Sequence, residues 1–159
     1  MPENVSAPVE FRSNQISRMF GVSLRQLQWW DERSLLNPRH EGQMRLYSEA
    51  DAALVGIVSE LRRKGLSLQR IRRMMRTIRY EVSRYVETGS TYPLFLLVRG
   101  PVCLFVETEP GALMDLIVNA SEPIYAVSIS VQVWKAREGE AERRERLRRA
   151  RTPKAERSC

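Results

Sequence analysis

The stretch Gly21–Pro38 reads GVSLRQLQWWDERSLLNP, and it decides the fold of the N-terminal half of the chain. Ser23 can cap a helix, and Gln26 three residues later completes a Ser-x-x-Gln capping box, so a short helix is predicted to begin after Ser23. An earlier short helix around Ile16 is predicted to end at Gly21. Two short helices separated by two or three residues have the spacing of a helix-turn-helix.

The two adjacent tryptophans of this stretch cannot both face the core. Trp30 follows Leu24 and Leu27 at helical spacing, which predicts one buried face for the three residues. Trp29 lies on another face of the same helix, beside the polar side chain of Arg25. We therefore predict that Trp30 is a core residue and that Trp29 lies at the surface.

A small hairpin is predicted directly after this helix. Pro38 interrupts regular structure, Gly42 permits a tight turn, and the segment from Arg45 to Tyr47 can form a short strand. A hairpin that follows a helix-turn-helix is typical of a wing.

Two longer helices are predicted after the wing. Ser48 and Asp51 form a second capping box, which opens a third helix that ends at Gly65. Ser67 opens a fourth helix, and its apolar residues keep helical spacing for about five turns until Gly89.

Beyond the fourth helix the period of the apolar residues changes from helical to two. Residues 94–98 and 102–106 predict a hairpin, a proline then opens a short helix, and residues 127–133 alternate like a half-buried strand. The order strand-strand-helix-strand predicts a small α+β unit over residues 92–134.

Both ends of the chain are predicted to lack regular structure. Residues 1–10 are predicted to be a flexible leader. Residues 135–159 carry ten Lys or Arg and five Glu with almost no apolar content. Such a composition predicts a frayed helix or a disordered charged tail.

The charge of the chain favours a polyanionic partner. There are 26 Lys and Arg against 19 Asp and Glu, which gives a formal net charge of +7. Nucleic acid is the favoured partner over a membrane, because no apolar run approaches the ~20 residues that span a bilayer. The N-terminus has no basic and apolar signal segment, and two cysteines are too few for a disulfide framework. We therefore expect a cytoplasmic, nucleoid-associated protein.

No residue pattern points to catalysis. His40 is the single histidine, so a His/Cys metal cluster is not expected, and Cys103 lies in an apolar run typical of a core position. We identify no nucleophile with a partner base and no glycine-rich phosphate loop. The sequence predicts neither an enzyme nor a bound metal or cofactor.

Residues 11–78 resemble the DNA-binding domain of the MerR family of bacterial transcription regulators. The matching motifs are G-V-S at Gly21–Ser23, the helix that follows, the exit LLNPR, the wing GQMRLYSEAD and the hinge LRRKGLSLQRI. With this resemblance, the expected fold is mostly α. It comprises a MerR-like winged helix-turn-helix, a long dimerisation helix and the small C-terminal α+β unit.

Physical chemistry and the resemblance together indicate which residues contact double-stranded DNA. The N-terminus of the second helix can present polar side chains to base edges in the major groove, where arginine suits guanine and glutamine suits adenine. The wing would reach the flanking backbone, and an indole N–H can donate to a phosphate. The candidate contact residues are Ser23, Arg25, Gln26, Gln28, Trp29, Arg39, Arg45 and Tyr47. Where the family usually has Thr-Leu-Arg-Tyr-Tyr, this chain has Gln26–Trp30, so Gln28 lacks the family's positive charge.

The helix over residues 68–88 is interpreted as the start of a coiled coil between two subunits, with internal packing as the alternative. The resemblance implies a homodimer on an inverted-repeat promoter site, which the protein distorts by bending and untwisting. RNA polymerase at the promoter is a further candidate partner. The rival function is an architectural or accessory DNA-binding protein that does not respond to an effector.

The role of residues 92–134 stays open between an effector domain and a brace for the dimer. The strands are too apolar to be left in water. If a small molecule binds, the expected place is the cleft between this unit and the fourth helix, lined by Tyr85, Tyr92 and Phe95.

Overall fold

The computed structural model describes residues 8–151, and within that range the chain forms six helices and six short strands. The helices are α1 (Ser13–Phe20), α2 (Leu24–Glu32), α3 (Glu49–Arg63), α4 (Leu68–Thr88), α5 (Pro110–Val118) and α6 (Ile129–Arg151). The strands are β1 (Glu10–Arg12), β2 (Arg39–Glu41), β3 (Met44–Ser48), β4 (Leu94–Arg99), β5 (Val102–Glu107) and β6 (Tyr125–Ser128). None of the helices described is long and apolar enough to cross a membrane.

Helices α1 and α2 form the predicted helix-turn-helix. Gly21 ends α1 with a φ of 65°, a left-handed conformation that favours glycine. The Ser23 hydroxyl accepts the backbone N–H of Gln26 at 3.1 Å, and the Gln26 side-chain oxygen accepts the N–H of Ser23 at 3.0 Å. The capping box predicted from the sequence is therefore confirmed.

The wing is a three-stranded antiparallel sheet in the order β1-β3-β2. Its hairpin is the predicted one, with Glu41 opposite Met44 across the turn at Gly42. The sequence does not predict β1, because a three-residue strand has no periodic signal of its own. This strand begins at Glu10, inside the segment predicted as a leader, and its Phe11 is buried opposite Tyr47 of β3. Residues 1–7 lie outside the described range.

Helix α3 is buried on every side along most of its length. All seven residues from Ala52 to Val58 are buried, as is Leu61. Ser48 and Asp51 cap the helix reciprocally, with both bonds between 3.0 and 3.1 Å, as the sequence predicts. A helix that is apolar all round has to be enclosed by other elements. Here α1, α4, α6 and the wing sheet surround it.

The apolar face of α4 packs inside the chain. Its buried residues are Ile71, Met74, Met75, Ile78, Val82 and Tyr85. They share one continuous core with residues of α3, β4, β6 and α6. The structure thus follows the alternative of internal packing, and the face assigned to an intersubunit coiled coil is already covered. The physical reason is that the C-terminal sheet and α6 supply the apolar surface that this face needs.

The C-terminal sheet has the order β5-β4-β6, and all its pairs are antiparallel. The predicted hairpin is present, with Arg99 opposite Val102 across the turn at Gly100 and Pro101. One face of the sheet joins the common core through the even-numbered residues of β4. Leu97 on the opposite face and Leu113 of α5 are also buried, outside that core.

The strand predicted over residues 127–133 is wrong beyond Ser128. The chain turns into α6 at Ile129, and the Ser128 hydroxyl accepts the N–H of Val131 at 3.2 Å, which caps the new helix. The alternating apolar residues also fit helical spacing, since Ile129 and Val133 are four residues apart and both are buried. Burial against α3 favours the helical period over the period of two.

The charged segment predicted as a frayed or disordered tail is a helix as far as Arg151. Arg137 donates to the Glu49 carboxylate at 2.6 Å, and Arg143 donates to the backbone oxygen of Glu10 at 3.1 Å. Gly139 lets α6 approach α1, because a Cβ there would lie 2.7 Å from the Met19 methyl group. These contacts with the winged domain explain why a segment with little apolar content is helical. Residues 152–159 lie outside the described range.

We predict that Gly56→Ala destabilises the protein. A Cβ at Gly56 would lie 2.2 Å from Oε1 of Gln132 in α6 and 2.7 Å from the ring of Phe20 in α1. Overpacking of this kind costs about 1–3 kcal/mol, which exceeds the gain of about 1 kcal/mol from the better helix propensity of alanine. Thermal unfolding should show a lower Tm.

Gly111→Ala is the matched control, because Gly111 lies in α5 with open space around its Cβ position. Its Tm should be equal to the parent's or higher. An unchanged Tm for Gly56→Ala would show that α3 and α6 do not depend on this close approach.

Candidate nucleic-acid interface

The exposed face of α2 carries the polar residues that the sequence predicts as base contacts. Arg25 is exposed, and no ion-pair partner for it occurs within residues 8–151. Ser23 and Gln26 are exposed as well, but their side chains bond each other's backbone in the capping box. The Gln28 amide donates to the Glu32 carboxylate at 2.7 Å. Arg25 is therefore the basic residue on this face whose guanidinium makes no hydrogen bond or ion pair within the described residues.

The two tryptophans separate as predicted. Trp30 is buried, whereas Trp29 is 39% exposed. The guanidinium of Arg33 lies 5.0 Å from the centre of the Trp29 ring, in range of a cation–π interaction. The prediction for Leu24 is wrong: this side chain is 54% exposed, because it lies at the first position of the helix, where the core does not reach it.

Asp31 connects helix α2 to the wing. Its Oδ2 atom accepts a hydrogen bond from Nε of Arg45 at 2.5 Å, and Nε2 of His40 lies 2.9 Å from the same oxygen. The Asp31 side chain is only 12% exposed. His40 and Arg45 are cross-strand partners in the wing hairpin, so one carboxylate holds both strands of the wing against α2. We call this set, Asp31, His40 and Arg45, the wing brace.

Arg39 is also paired with carboxylates. Its guanidinium makes two bonds of 2.8 Å to Glu10 and one of 3.2 Å to Glu41. The hydrogen bond from Arg39 lowers the pKa of Glu10, and the same contact raises the pKa of Arg39. Both wing arginines predicted to reach a DNA backbone therefore begin with a carboxylate partner, which a phosphate would have to replace.

Tyr47 is not placed for the predicted backbone contact. Its side chain is fully buried, opposite Phe11 in the wing sheet. Burial raises the pKa of Tyr47, as expected for a phenol withdrawn from water. The sequence predicts an outward position for Tyr47, but helices α1 and α3 pack against β3 and Tyr47 belongs to the common core.

Several arginines of the basic segment 62–79 bind backbone oxygens of connecting loops. Arg79 donates to the Leu35 oxygen at 3.2 Å, and Arg72 donates to the Arg33 oxygen just after α2. Arg62 donates to the Leu66 oxygen at 2.9 Å. The bonds of Arg72 and Arg79 fix the exit of α2 against α4, and the bond of Arg62 lies in the turn between α3 and α4. These contacts cannot be predicted from the number of basic residues in the segment, because the partners are up to 44 residues apart in the sequence.

The side chains of the three residues predicted to line an effector cleft lie in different surroundings. Tyr85 is buried in the common core, and its hydroxyl donates to the Tyr92 backbone oxygen at 2.8 Å. The Tyr92 side chain is exposed. Phe95 alternates with the core-facing residues Leu94 and Leu96, so it belongs to the opposite face of the sheet.

Residues 11–78 match the model of a protein family described as MerR HTH family regulatory protein. The matched range covers α1 to the middle of α4, and it coincides with the range that carries the sequence resemblance. A comparison with characterised proteins found no match to the chain.

We predict that the wing brace is energetically coupled. In a double-mutant cycle, Asp31→Ala and Arg45→Ala should show a coupling of about 0.5–3 kcal/mol, because both side chains are largely withdrawn from water. Urea unfolding of the parent, both single variants and the double variant measures it. The pair Glu60 and Arg63 is the control: Arg63 is 61% exposed, so its coupling should stay below about 0.5 kcal/mol. Equal couplings for the two pairs would contradict a structural role for the brace.

Proposed function

We propose that the protein is a sequence-specific DNA-binding transcription regulator, because residues 11–78 match the model of the MerR HTH regulatory family. The observation that carries the proposal is the exposed, uncommitted Arg25 on a recognition helix that the wing brace fixes to its wing. A helix held in this way can enter a major groove in one orientation, which sequence recognition requires. The net charge of +7 supports attraction to DNA from a distance.

We assign different tasks to the polar residues of α2. Arg25 reads a base edge, for which a guanine is the best chemical match. Trp29 contacts the DNA backbone through its indole N–H and the apolar body of its ring, and Arg33 above it adds a positive charge. The capping box of Ser23 and Gln26 keeps the helix N-terminus in place, and the Gln26 amide group retains donors for a base or a phosphate.

The proposal includes a homodimer on an inverted-repeat promoter site that is distorted on binding, with RNA polymerase as a partner there and the nucleoid as the place of action. Its support is the resemblance of residues 11–78 alone. Because the apolar face of α4 is occupied within the chain, the contact between two copies has to use another surface.

Selection of bound duplexes from random DNA tests the proposal. A regulator of this kind enriches one motif with two half-sites related by a two-fold axis, and it protects that motif in a footprint. An architectural protein would bind without a preferred motif and protect DNA evenly. The second result would reject sequence-specific regulation while leaving DNA binding intact.

We predict that Arg25→Ala weakens binding to the selected site by about 1–3 kcal/mol and relaxes specificity at one base pair. Arg84→Ala removes the same charge from the exposed surface of α4 and serves as the control. Competition titrations with single-base variants of the site measure both effects. If Arg25→Ala retained the affinity and specificity of the parent, α2 would not be the reading helix.

We also predict that Asp31→Ala weakens DNA binding even though it removes a negative charge. Loss of the carboxylate frees Arg45 and His40 and lets the wing move relative to α2. Glu32→Ala removes a charge from the next residue of the same helix without touching the brace, so its affinity should equal the parent's or rise slightly. If both variants bound more tightly, Asp31 would act only as a competitor of phosphate for Arg45.

A further inference from the structure

Strand β5 is an edge strand with an open row of backbone groups. The N–H of Thr108 donates to the oxygen of Pro93, which fixes the phase of the ladder between β4 and β5. Counting back along an antiparallel ladder, the even-numbered residues of β5 bond to β4. The N–H and C=O groups of residues 103, 105 and 107 therefore point away from the sheet. Within residues 8–151, no strand pairs with this edge.

The edge lacks the features by which monomeric proteins protect such strands. Residues 102–106 read VCLFV, with no charge and no proline, and the register with β4 shows no bulge. Val102 is 49% exposed and Leu104 is 57% exposed, on the face of the sheet turned away from the common core. An apolar, unprotected edge strand is suited to pairing with another strand.

Helix α5, which follows β5 in the chain, is also apolar at its surface. Helix α5 exposes Met114, Leu116 and Val118 to solvent. Residues 101–118 contain no Lys or Arg, although the whole chain has 26. This region thus differs in chemistry from the basic surface of the winged domain, and it gives a phosphate backbone nothing to bind.

We propose that β5 pairs with β5 of a second copy of the chain across a two-fold axis, so that the two sheets become one. The sequence VCLFV is self-complementary about Leu104. In an antiparallel pair centred there, Leu104 faces the partner's Leu104, and Val102 faces the partner's Val106. The outward groups of residues 103 and 105 then bond those of residues 105 and 103 in the other copy.

The charges at the two ends of β5 fit an antiparallel second copy. At the turn end, Arg99 is exposed and Arg70 donates to the Gly100 oxygen. At the other end, Glu107 and Glu109 are exposed. Two-fold pairing places the basic end of each strand beside the acidic end of the other. Arg99 and Glu122 form an ion pair at 3.8 Å in which both side chains are exposed. An exposed ion pair contributes little free energy, so Arg99 can pair with an acidic residue of the second copy instead.

This dimer supplies the second recognition helix that an inverted-repeat site requires, so its relevance to regulation rests on the proposed function. The pairing itself does not depend on DNA. The two ideas can therefore fail separately when self-association is measured on the full chain without DNA.

Sedimentation of the full chain at micromolar concentration tests the inference. The parent should be a dimer, and Leu104→Lys should weaken self-association by at least about tenfold, because two like charges would face each other across the axis. Val131→Lys, at a 44% exposed position of α6, is the control and should remain a dimer. A monomeric parent, or a Leu104→Lys variant that dimerises like the parent, would overturn the proposal.

Disulfide trapping gives a second measurement that needs no disruption of the sheet. In a Cys103→Ser, Cys159→Ser background, Leu104→Cys should form a covalent dimer on mild oxidation, since facing residues of this type have Cα atoms about 4.5 Å apart. Val131→Cys in the same background should not. If Leu104→Cys stayed uncrosslinked, or crosslinked no faster than Val131→Cys, the edge would not pair with its own copy.

Discussion

Helix α3 has no solvent-facing side from Ala52 to Val58, and the rest of the molecule is arranged to enclose it. The helix-turn-helix and the wing sheet cover part of it, while α4 and α6 cover the remainder. Gly56 matters because it brings α6 and Phe20 to the helix surface at the same point. Residues of β4, β6 and α6 consequently share one core with the winged helix-turn-helix half.

The wing brace and the loop contacts give part of the positive charge a structural role. A large surplus of arginine suggests a surface made for phosphate, yet Arg72 and Arg79 support the loop after α2, and Arg45 holds the wing. Arg25, at the surface of α2, is not used in this way. Some of the arginines therefore hold the wing and the loop after α2 in place, whereas Arg25 keeps a guanidinium that none of these structural contacts uses.

Local signals in the sequence predict the N-terminal half well. Capping boxes involve residues three apart, so Ser23 with Gln26 and Ser48 with Asp51 can be identified from sequence spacing alone. The surroundings of Tyr47 and Arg45 depend instead on strand β1 and on Asp31, which are distant in sequence. Contacts between residues so far apart produce no periodic pattern in the sequence, so they cannot be predicted from residue spacing. The C-terminal half is harder for a related reason: Ile129 and Val133 satisfy both a period of two and a helical period, and only burial against α3 distinguishes the alternatives.

The enclosure of α3 by α6 also sets an order of events during synthesis. The ribosome makes α2 and the wing first, but α3 keeps one apolar side uncovered until α6 has emerged. An unfinished chain therefore presents a hydrophobic surface of the kind that chaperones and proteases recognise. A nascent chain that stops before α6 has the complete helix-turn-helix and wing but lacks the full core that holds them in place, so its quality control depends on α6.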